Sequence, residues 1–451
     1  MTQPNDAMPT LGPHPPGLAL APPDLLLAGS GGTIVLAWWP TQVLRRLAAL
    51  LLAALALILG GCAAPPDRPA TVVGGPLSTA GPASPPPRLV AVILPANGRY
   101  AEAGAALRQA LRTAQTADGG QGAELRYFDS HEPAAVPGLL RQAAASGASL
   151  AIGPLEKEAV DALAQQTSLP LPTLALNQAT TEARPPLLYQ FALDPEEEGT
   201  AAAHQAWRQG YHSAILLYPS NPWGERLADG IRREWLGRGG YFAATHAYEA
   251  EVPTLPSELL SAAFAGSIQT APADCVFMVA TTSQAMGLWP QIQALAPPQT
   301  PTFATSHVYE NGLSIAQLQA LTGLLFVDMP WMIDNNGTDP LSRTRLTTTL
   351  GLDPRYARLY AMGLDAYHLM AHLDRLIAHP GAYLEGRTGR LSIDSQGRVH
   401  RELVLARIDA RGPQRLTGGT MSSGPERGAL AVVSLIANPL ADTRDRHHGP
   451  H

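Results

Sequence analysis

Short apolar runs alternate with helical patterns over most of the chain, and this alternation restricts the fold more than any other feature of the sequence. The run "RLVAVILP" from Arg88 suits a strand covered on both faces, and "YAEAGAALRQALRTAQ" follows it with one apolar helical stripe. The same pairing recurs around "ASLAIGPL", "HSAILLYP", "DCVFMVA" and "GLLFVDMP". Strands and helices in alternation predict parallel sheets with helices on both faces.

The number of strand-like runs predicts two lobes rather than one sheet. Roughly ten such strands are too many for one compact doubly wound sheet, and the pattern restarts near Asp194. A long helical pattern from Pro354 to Ala378 and a hairpin with its turn at Ser395 to Gly397 then suggest that the chain re-crosses between lobes. We therefore expect an α/β protein in which each lobe is a mostly parallel sheet flanked by helices. The predicted boundaries are 88–193 and 305–380 for lobe 1, 194–304 and 381–409 for lobe 2, and 410–451 for a mostly disordered tail.

The stretch "RRLAALLLAALALILGGCAAPP", which begins at Arg45, resembles a bacterial lipoprotein signal peptide. Its apolar run is short for a membrane-spanning helix and ends just before Cys62. We expect cleavage before Cys62 and a diacylglycerol on its thiol, which would hold the protein firmly on a membrane. Residues 1–61 are thus a predicted signal-peptide region with a mis-assigned start, since 44 residues precede Arg45. Ala63 and Ala64 stand directly after Cys62, where an aspartate would retain many lipoproteins in the inner membrane, so we expect an outer-membrane anchor facing the periplasm.

Residues 62–87 are predicted to be a lipid-anchored, proline-rich linker, because eight prolines fall among the 25 positions of 63–87. The second cysteine, Cys275, lies in an apolar run and is predicted to be a buried thiol. The apolar stretch 428–437, "GALAVVSLIA", is left without an interpretation.

The charge distribution argues against a nucleic-acid partner. The net charge is −6, the pI is about 6.1, and no basic block occurs along the chain. Phosphate-binding fingerprints do not occur, and the terminal "RHHGPH" is at best a weak metal-binding pattern, so we expect no cofactor and no metal.

Several loops that follow predicted strands would meet at one cleft, because open α/β sheets bind ligands at the carboxyl ends of their strands. Gly98 and Gly153 in these loops would either let backbone N–H groups approach an anion or simply make turns. The candidate cleft or docking residues are Asn97, Gly98, Tyr100, Gly153, Asn177, Trp223, Ser306, His307, Tyr309, Asp328 and Trp331.

An enzyme is the class that the sequence supports least. Ser306 and His307 are adjacent, but neighbours on a strand point to opposite faces and would not act together as nucleophile and base. The glutamates of "DPEEEG" at 194–199 are interpreted as structural, with Asp194 as a helix cap and the glutamates complementing the helix dipole.

Six ordered motifs resemble a known family: "LLYQFALDPEEEG", "NPWGERLADG", "FATSHVYENG", "VDMPW", "LYAMGLDAYHL" and "GRTGRLSIDSQGRVHREL". Together they resemble the C-terminal domain of the penicillin-binding-protein activator lipoproteins, also called the LppC family, over about Arg88 to Ile408. The resemblance implies a two-lobed, periplasmic-binding-protein-like fold of type I and an outer-membrane anchor. It also implies stimulation of a bifunctional penicillin-binding protein, a peptidoglycan synthase, by direct contact.

Longer members of that family carry a helical repeat domain where this sequence has a linker, which leaves open how the protein would reach a synthase in the inner membrane. The alternative is a solute-binding lipoprotein that holds an amino acid or a cell-wall fragment between its lobes. An amino-acid binder needs a partner for the carboxylate and an acidic group for the amine, and the backbone near Gly98 and the side chain of Asp328 are the candidates. Our hypothesis is that Tyr309, Asp328 and Trp331 lie at the lobe junction, with a docking surface around it.

Overall fold

The computed structural model describes residues 89–416, except 120–121, 268–269, 311 and 335–336. The signal peptide, Cys62, the proline-rich linker and the stretch 428–437 lie outside the described residues. No helix within the described ranges is both long and apolar enough to cross a membrane.

The strands form two sheets, each mostly parallel with antiparallel strands at one edge. The first sheet has the order β11-β12-β13-β5-β4-β3-β1-β2, and the second has the order β15-β14-β10-β9-β8-β6-β7. The strands are β1 (Leu89–Leu94), β2 (Glu124–Asp129), β3 (Leu150–Ile152), β4 (Thr173–Ala175), β5 (Leu188–Phe191), β6 (Ser213–Pro219), β7 (Tyr241–Tyr248), β8 (Cys275–Met278), β9 (Thr302–Ala304), β10 (Leu325–Asp328), β11 (Leu384–Glu385), β12 (Arg390–Ile393), β13 (Arg398–Glu402), β14 (Val404–Asp409) and β15 (Gly412–Arg415).

Helices cover both faces of each sheet. They are α1 (Ala101–Ala117), α2 (Val136–Ala145), α3 (Lys157–Ala164), α4 (Pro195–Arg208), α5 (Pro222–Gly237), α6 (Ser257–Ala265), α7 (Thr282–Leu295), α8 (Ile315–Ala320), α9 (Pro330–Ile333), α10 (Arg343–Leu350), α11 (Ala357–Met370) and α12 (Leu373–Ala378), with 3₁₀ turns at Pro133–Ala135, Ser306–Val308 and Pro354–Tyr356.

The continuous apolar strands are explained by this layering. Val90 and Val92 of β1 face the core that contains α1, whereas Ala91 and Ile93 face a second core that contains α2 and α3. A strand that is buried on both faces has no polar alternation, as the run from residue 89 to 94 shows. Cys275 is a buried free thiol in β8, as predicted.

The lobe boundaries predicted from the sequence are wrong in two segments. Residues 305–328 belong with the second sheet, because β10 pairs with β9 and β14. Residues 381–402 belong with the first sheet, because β13 pairs with β5 and β12. The predicted tail is also too long at its start, since β15 (Gly412–Arg415) pairs with β14. The chain does cross between the lobes, as predicted, but it crosses after Asp328 and again at Leu403.

Local turn and cap chemistry was predicted correctly. The β12–β13 hairpin turns at Asp394 to Gly397, where Gly397 has a φ of 74°. The side chain of Asp194 accepts a hydrogen bond from the N–H of Glu196 and caps α4.

Helices α4 and α5 approach closely through two glycines. A Cβ on Gly199 would lie 2.1 Å from the carbonyl oxygen of Leu227, and a Cβ on Gly230 would lie 2.1 Å from that of Glu196. Backbone atoms cannot move aside cheaply at such distances. The two glycines therefore fix how α4 lies against α5.

Replacing Gly230 with alanine is expected to lower the free energy of unfolding by about 1–3 kcal/mol, because the added methyl group forces α4 and α5 apart. Gly237 ends the same helix, and a Cβ added there would meet no atom within 4 Å, so Gly237→Ala is the matched control. The control should be neutral or stabilise by up to about 1 kcal/mol. Urea unfolding of both variants measures the difference, and equal stabilities would contradict the close helix contact.

Candidate functional site

The carboxyl ends of the parallel strands carry most of the residues predicted for the cleft. In lobe 2, Trp223 follows β6, Ser306 follows β9 and Asp328 ends β10. At the junction between the lobes, Ser306 contacts Glu198 of α4, and Asp328 and the Ser306 carbonyl oxygen contact Arg358 of α11. We call Glu198, Ser306, His307, Asp328 and Arg358 the junction cluster.

Ser306 and His307 lie in a 3₁₀ turn rather than on a strand, so the expectation that they point to opposite faces is wrong. The Oγ of Ser306 lies 3.5 Å from the Nδ1 of His307. The Ser306 hydroxyl donates a hydrogen bond to Oε2 of Glu198 at 2.7 Å, and the Nδ1 of His307 lies 3.4 Å from the same oxygen. Ser306 is only 1% exposed. Its hydroxyl is thus a buried donor to a carboxylate and is not poised to attack a substrate.

Glu198 is a buried carboxylate that stays ionised. Burial alone would raise its pKa, but the neighbouring His307 and Arg358 and the Ser306 hydroxyl lower the pKa to about 2. A charged carboxylate in the interior requires such partners. The glutamates of "DPEEEG" are therefore structural, as predicted, but Glu198 also belongs to the junction cluster.

Arg358 connects Asp328 to Ser306 within the junction cluster. Its Nη2 donates to Oδ2 of Asp328 at 2.7 Å and to the carbonyl oxygen of Ser306 at 3.2 Å. Burial raises the pKa of the Asp328 carboxyl, and the guanidinium opposes that rise. Asp328 is 1% exposed, so its carboxylate depends on Arg358 for its stabilisation.

The cluster ties lobe 1 to lobe 2. Arg358 is in the first turn of α11, which packs along α1 of lobe 1, while Asp328 and Ser306 follow strands of lobe 2. Trp331 makes a second tie, because its backbone N–H donates to the carbonyl oxygen of Arg387 and its ring stacks on Tyr360 of α11. Asp328 and Trp331 thus contact elements of both lobes.

Tyr309 and Trp223 frame the cluster on the lobe 2 side. Tyr309 is buried against Phe326, and burial raises the pKa of its hydroxyl. Trp223 packs edge to face on the ring of His307, with 4.9 Å between the ring centroids. Tyr309, Asp328 and Trp331 are 7% exposed or less, so none of them offers a surface to a partner protein.

The predicted residues of lobe 1 divide into turn residues and exposed residues. Asn177 bonds to the carbonyl oxygen of Leu155 and to the N–H of Gln178, and a Cβ on Gly153 would lie 1.9 Å from the carbonyl oxygen of Ile93. Asn177 and Gly153 therefore support the backbone around them. Asn97, Gly98 and Tyr100 are exposed, with the Asn97 amide donating to Asp129 at the end of β2.

Asp328 is not available to bind the amine of an amino acid. Its carboxylate is buried and is already paired with Arg358. The acidic partner that the sequence offered to a solute-binding cleft is therefore part of the internal framework.

Two members of the junction cluster, Glu198 and Arg358, were not recognised in the sequence as site residues. Glu198 lies four residues before Ala202 on the buried stripe of α4, and Arg358 lies three before Ala361 on that of α11. A charged residue on an apolar helical stripe indicates a buried ion pair, and that pattern could have identified both.

Two further motifs contact each other inside lobe 1. Asp365, from "GLDAY", accepts hydrogen bonds from the backbone N–H groups of Arg387 and Thr388 and from the Thr388 hydroxyl, both in "GRTGR". Asp365 is buried, and its burial raises the pKa of the carboxyl. These motifs hold the β11–β12 loop against α11.

A second polar contact also joins the lobes, between α4 and β13. The Nδ1 of His400 lies 3.4 Å from Oε1 of Glu197, and its Nε2 lies 3.0 Å from Oδ2 of Asp394. The hydrogen bond to Glu197, together with Asp394, raises the pKa of His400 to about 9 against an opposing effect of burial. His400 is thus protonated at neutral pH.

The protonated His400 should make stability depend on pH. A histidine whose pKa is raised on folding stabilises the native state fully below its ordinary pKa of 6.5, and this contribution is lost as the pH rises through about 9. We expect the urea midpoint of the native protein to fall over that range, and His400→Gln to remove part of the fall. His246→Gln on β7 is the control. Parallel pH profiles for native protein and His400→Gln would contradict the ion pair.

Within the described ranges, no group of three or more histidine, cysteine or acidic side chains is arranged to hold a metal ion. The junction cluster instead satisfies its charges internally. Its arrangement braces two lobes and leaves the loops at the cleft rim exposed.

Comparison with known proteins identifies the family. The family model "LppC putative lipoprotein" matches residues 84–409, which is more than half of the chain. Penicillin-binding protein activator LpoA of Edwardsiella ictaluri is 32% identical over 317 residues, 63% of this chain and 46% of that protein. LpoA of Yersinia pseudotuberculosis is 29% identical over 319 residues, 62% of this chain and 48% of that protein. The chain thus spans about half the length of the curated relatives it matches.

Solved structures share the fold. Full-length LpoA from Haemophilus influenzae matches with a TM-score of 0.62 at 23% identity, over 73% of this chain and 59% of that chain. The LpoA C-domain from the same organism, described as a regulator of PBP1A, matches with a TM-score of 0.62 at 22% identity, over 73% of this chain and all of that chain. A protein from Chromobacterium violaceum assigned to branched-chain amino acid ABC transport matches with a TM-score of 0.58 at 27% identity, over 70% and 99% of the two chains.

These matches and the two sheets give the described residues the two-lobed, periplasmic-binding-protein-like fold of type I that was expected. The family model runs through both lobes and ends in β14. The chain therefore belongs to the LppC lipoprotein family.

Proposed function

We propose that this protein activates a bifunctional penicillin-binding protein, a peptidoglycan synthase, by direct contact and without catalysis of its own. The observation that carries the proposal is the match to the family model through both lobes, together with relatives named as penicillin-binding protein activators. The buried hydroxyl of Ser306 and the internally paired Asp328 agree with a role in binding rather than in chemistry.

The proposed location is the periplasmic face of the outer membrane, with an acylated Cys62 as the anchor. Support comes from the lipoprotein family and from the sequence around Cys62. Mass measurement of the mature protein tests this, with an acylated Cys62 as the expected first residue. A retained Met1 would contradict it.

The proposed docking surface lies at the rim of the cleft, where α1 and α11 begin side by side. The guanidinium of Arg99 stacks over Tyr100 at 4.5 Å, and that of Arg355 stacks over Tyr356 at 5.3 Å. Glu102, two residues after Tyr100, accepts a hydrogen bond from the Tyr356 hydroxyl at 2.7 Å and so holds the second pair at the start of α1. We call these five residues the rim cluster.

The composition of the rim cluster is that of an interface. Arginine and tyrosine are enriched where proteins bind each other, because they combine apolar area with directed polar groups. The side chains of Arg99, Glu102 and Arg355 are each 69% exposed. The junction cluster beneath holds both lobes in place, so the rim is presented on a rigid support.

A single lysine allows a direct test of this contact. Lys157 is the only lysine in the sequence; it is exposed at the start of α3, next to Glu158, whose carboxylate pairs with Arg99 at 3.1 Å. Labelling Lys157 with an amine-reactive photo-crosslinker should give a covalent adduct with the purified synthase. The variant Lys157→Arg keeps the charge and removes the side-chain amine. Because the α-amino group of the chain also reacts, the adduct assigned to Lys157 is the one that this variant loses.

The outcomes distinguish an error in the proposed docking surface from an error in the proposed function. A complex that forms in a pull-down but gives no adduct through Lys157 would show that docking occurs elsewhere. The absence of any complex at saturating concentrations of folded protein would contradict the proposed function itself.

A further inference from the structure

A cavity of about 490 Å³ lies between α4 of lobe 2 and the β12–β13 hairpin of lobe 1. Thr200 and Ala201 line it from the helix, while Tyr383, Arg390, Arg401 and Leu403 line it from the other side. None of its lining residues belongs to the junction cluster. Its volume is within the range of small-molecule sites in proteins.

Arg401 is unusual among the residues that line this cavity. Its side chain exposes no surface, and its Nε donates to Oε2 of Glu197 at 3.2 Å. Its Nη1 and Nη2 have no hydrogen-bond partner among the residues that the structure describes. A buried donor left unpaired destabilises a protein, because the hydrogen bond that it made to water in the unfolded chain is not replaced. A partner for this end of the guanidinium would remove that penalty.

The two unpaired nitrogens define the chemistry of such a partner. They lie side by side on the planar guanidinium and match the two oxygens of a carboxylate. The nearby acidic side chains are already engaged: Glu197 contacts Arg401 and His400, and Glu402 contacts Arg390 at 3.0 Å. A carboxylate that pairs with these two nitrogens would therefore come from outside this group.

The other residues that line the cavity are suited to contact the apolar part of a ligand. Ala201 and Leu403 contribute aliphatic surface, and the ring of Tyr383 carries the guanidinium of Arg390 at 4.3 Å. The side chains of Arg390 and Glu402 are 43% and 46% exposed, so these long side chains lie at the open end of the cavity. Their movement would give access to Arg401.

We propose that this cavity binds a small organic carboxylate, whose oxygens accept hydrogen bonds from Nη1 and Nη2 of Arg401 and whose apolar body packs on Ala201, Tyr383 and Leu403. The ligand contacts α4 of lobe 2 and β13 of lobe 1 together. Its binding therefore stabilises the lobe arrangement described above. The site goes beyond the activation of a synthase and does not depend on it.

Calorimetric titration of the full chain with aliphatic and aromatic monocarboxylates tests the site, with phenylacetate as the reference probe and phenylacetamide as its neutral counterpart. We expect saturable binding of a carboxylate, and binding of the matching amide that is weaker on the order of tenfold or more, because a hydrogen bond to a charged group is lost. Inorganic phosphate, which has charge but no apolar body, should bind more weakly than the best carboxylate.

Variants assign the binding to the cavity. Arg401→Met removes the anchor, and Ala201→Met fills the cavity without removing a charge; each should weaken carboxylate binding on the order of tenfold or more. Arg233→Met, at an exposed position on α5, is the control and should leave binding unchanged. If Arg401→Met fails to fold, Ala201→Met alone decides the question.

Three results would overturn the proposal. They are the absence of saturable binding by every carboxylate to folded protein, carboxylate binding that Ala201→Met leaves unchanged, and phosphate binding as strong as that of the best carboxylate.

Discussion

Replacing Arg358 with methionine is expected to lower the free energy of unfolding by about 3 kcal/mol, the lower part of the range for removing one partner of a buried ion pair. The lower part applies because the Arg358 side chain is 25% exposed, although that of Asp328 is only 1% exposed. The loss arises because the Asp328 carboxylate and the Ser306 carbonyl oxygen each lose the hydrogen bond from Arg358.

The loss should also depend on pH. Burial already raises the pKa of Asp328, and removal of the guanidinium raises it further. A carboxyl whose pKa is raised on folding favours the native state at low pH, so the deficit of Arg358→Met should shrink as the solution becomes more acidic. Urea unfolding at several pH values measures this. The neutral amide of Asp328→Asn, combined with Arg358→Met, should recover part of the loss at neutral pH.

Arg355→Met is the matched control, three residues earlier in the chain. Its guanidinium is 69% exposed and pairs with Asp353 at 2.6 Å on the surface. Water screens ion pairs on the surface, so the loss of this one should change stability little. Similar losses in the two variants would contradict the bracing role of the junction cluster.

Substitution of the rim cluster should weaken synthase binding without unfolding the protein. Tyr100→Ala removes the largest exposed side chain of the predicted cleft residues, and we expect the apparent affinity for the synthase to fall on the order of tenfold or more, as for an interface hot spot. Arg355→Glu reverses a charge in the same cluster and should slow association at low salt.

Ile315→Ala provides the control for these variants. Ile315 is 69% exposed on α8 in lobe 2 and lies outside the rim cluster. Titration of labelled protein with the purified synthase, together with thermal unfolding, measures affinity and stability separately. Equal affinities for Tyr100→Ala and Ile315→Ala would place the docking surface away from the rim.

The layered fold and the local turns could be predicted because they depend on nearby residues. The apolar run of β1, the Asp194 cap and the hairpin turn at Gly397 each reflect periodicity or backbone chemistry within a few positions. The lobe boundaries depend on pairing between distant segments. The run of β10 looks like any buried strand, and nothing near it in sequence shows that its partner is β14, residues 404–409.

In the candidate site too, features that depend on nearby residues could be predicted and those that depend on distant segments could not. Ser306 and Asp328 were found because they follow strands, and strand ends gather at one edge of a sheet. Their partners Glu198 and Arg358 come from helices 108 and 30 residues away. The exposure of Tyr309, Asp328 and Trp331 also depends on the packing of α9 and α11, so only the structure shows that these residues are internal.

The rate of glycan polymerisation by a purified bifunctional penicillin-binding protein, with and without this protein, tests the proposed activation most directly. The account predicts a rate that rises with added protein and saturates, with Tyr100→Ala requiring a higher concentration for the same effect. An unchanged rate at saturating concentrations of folded protein would contradict it.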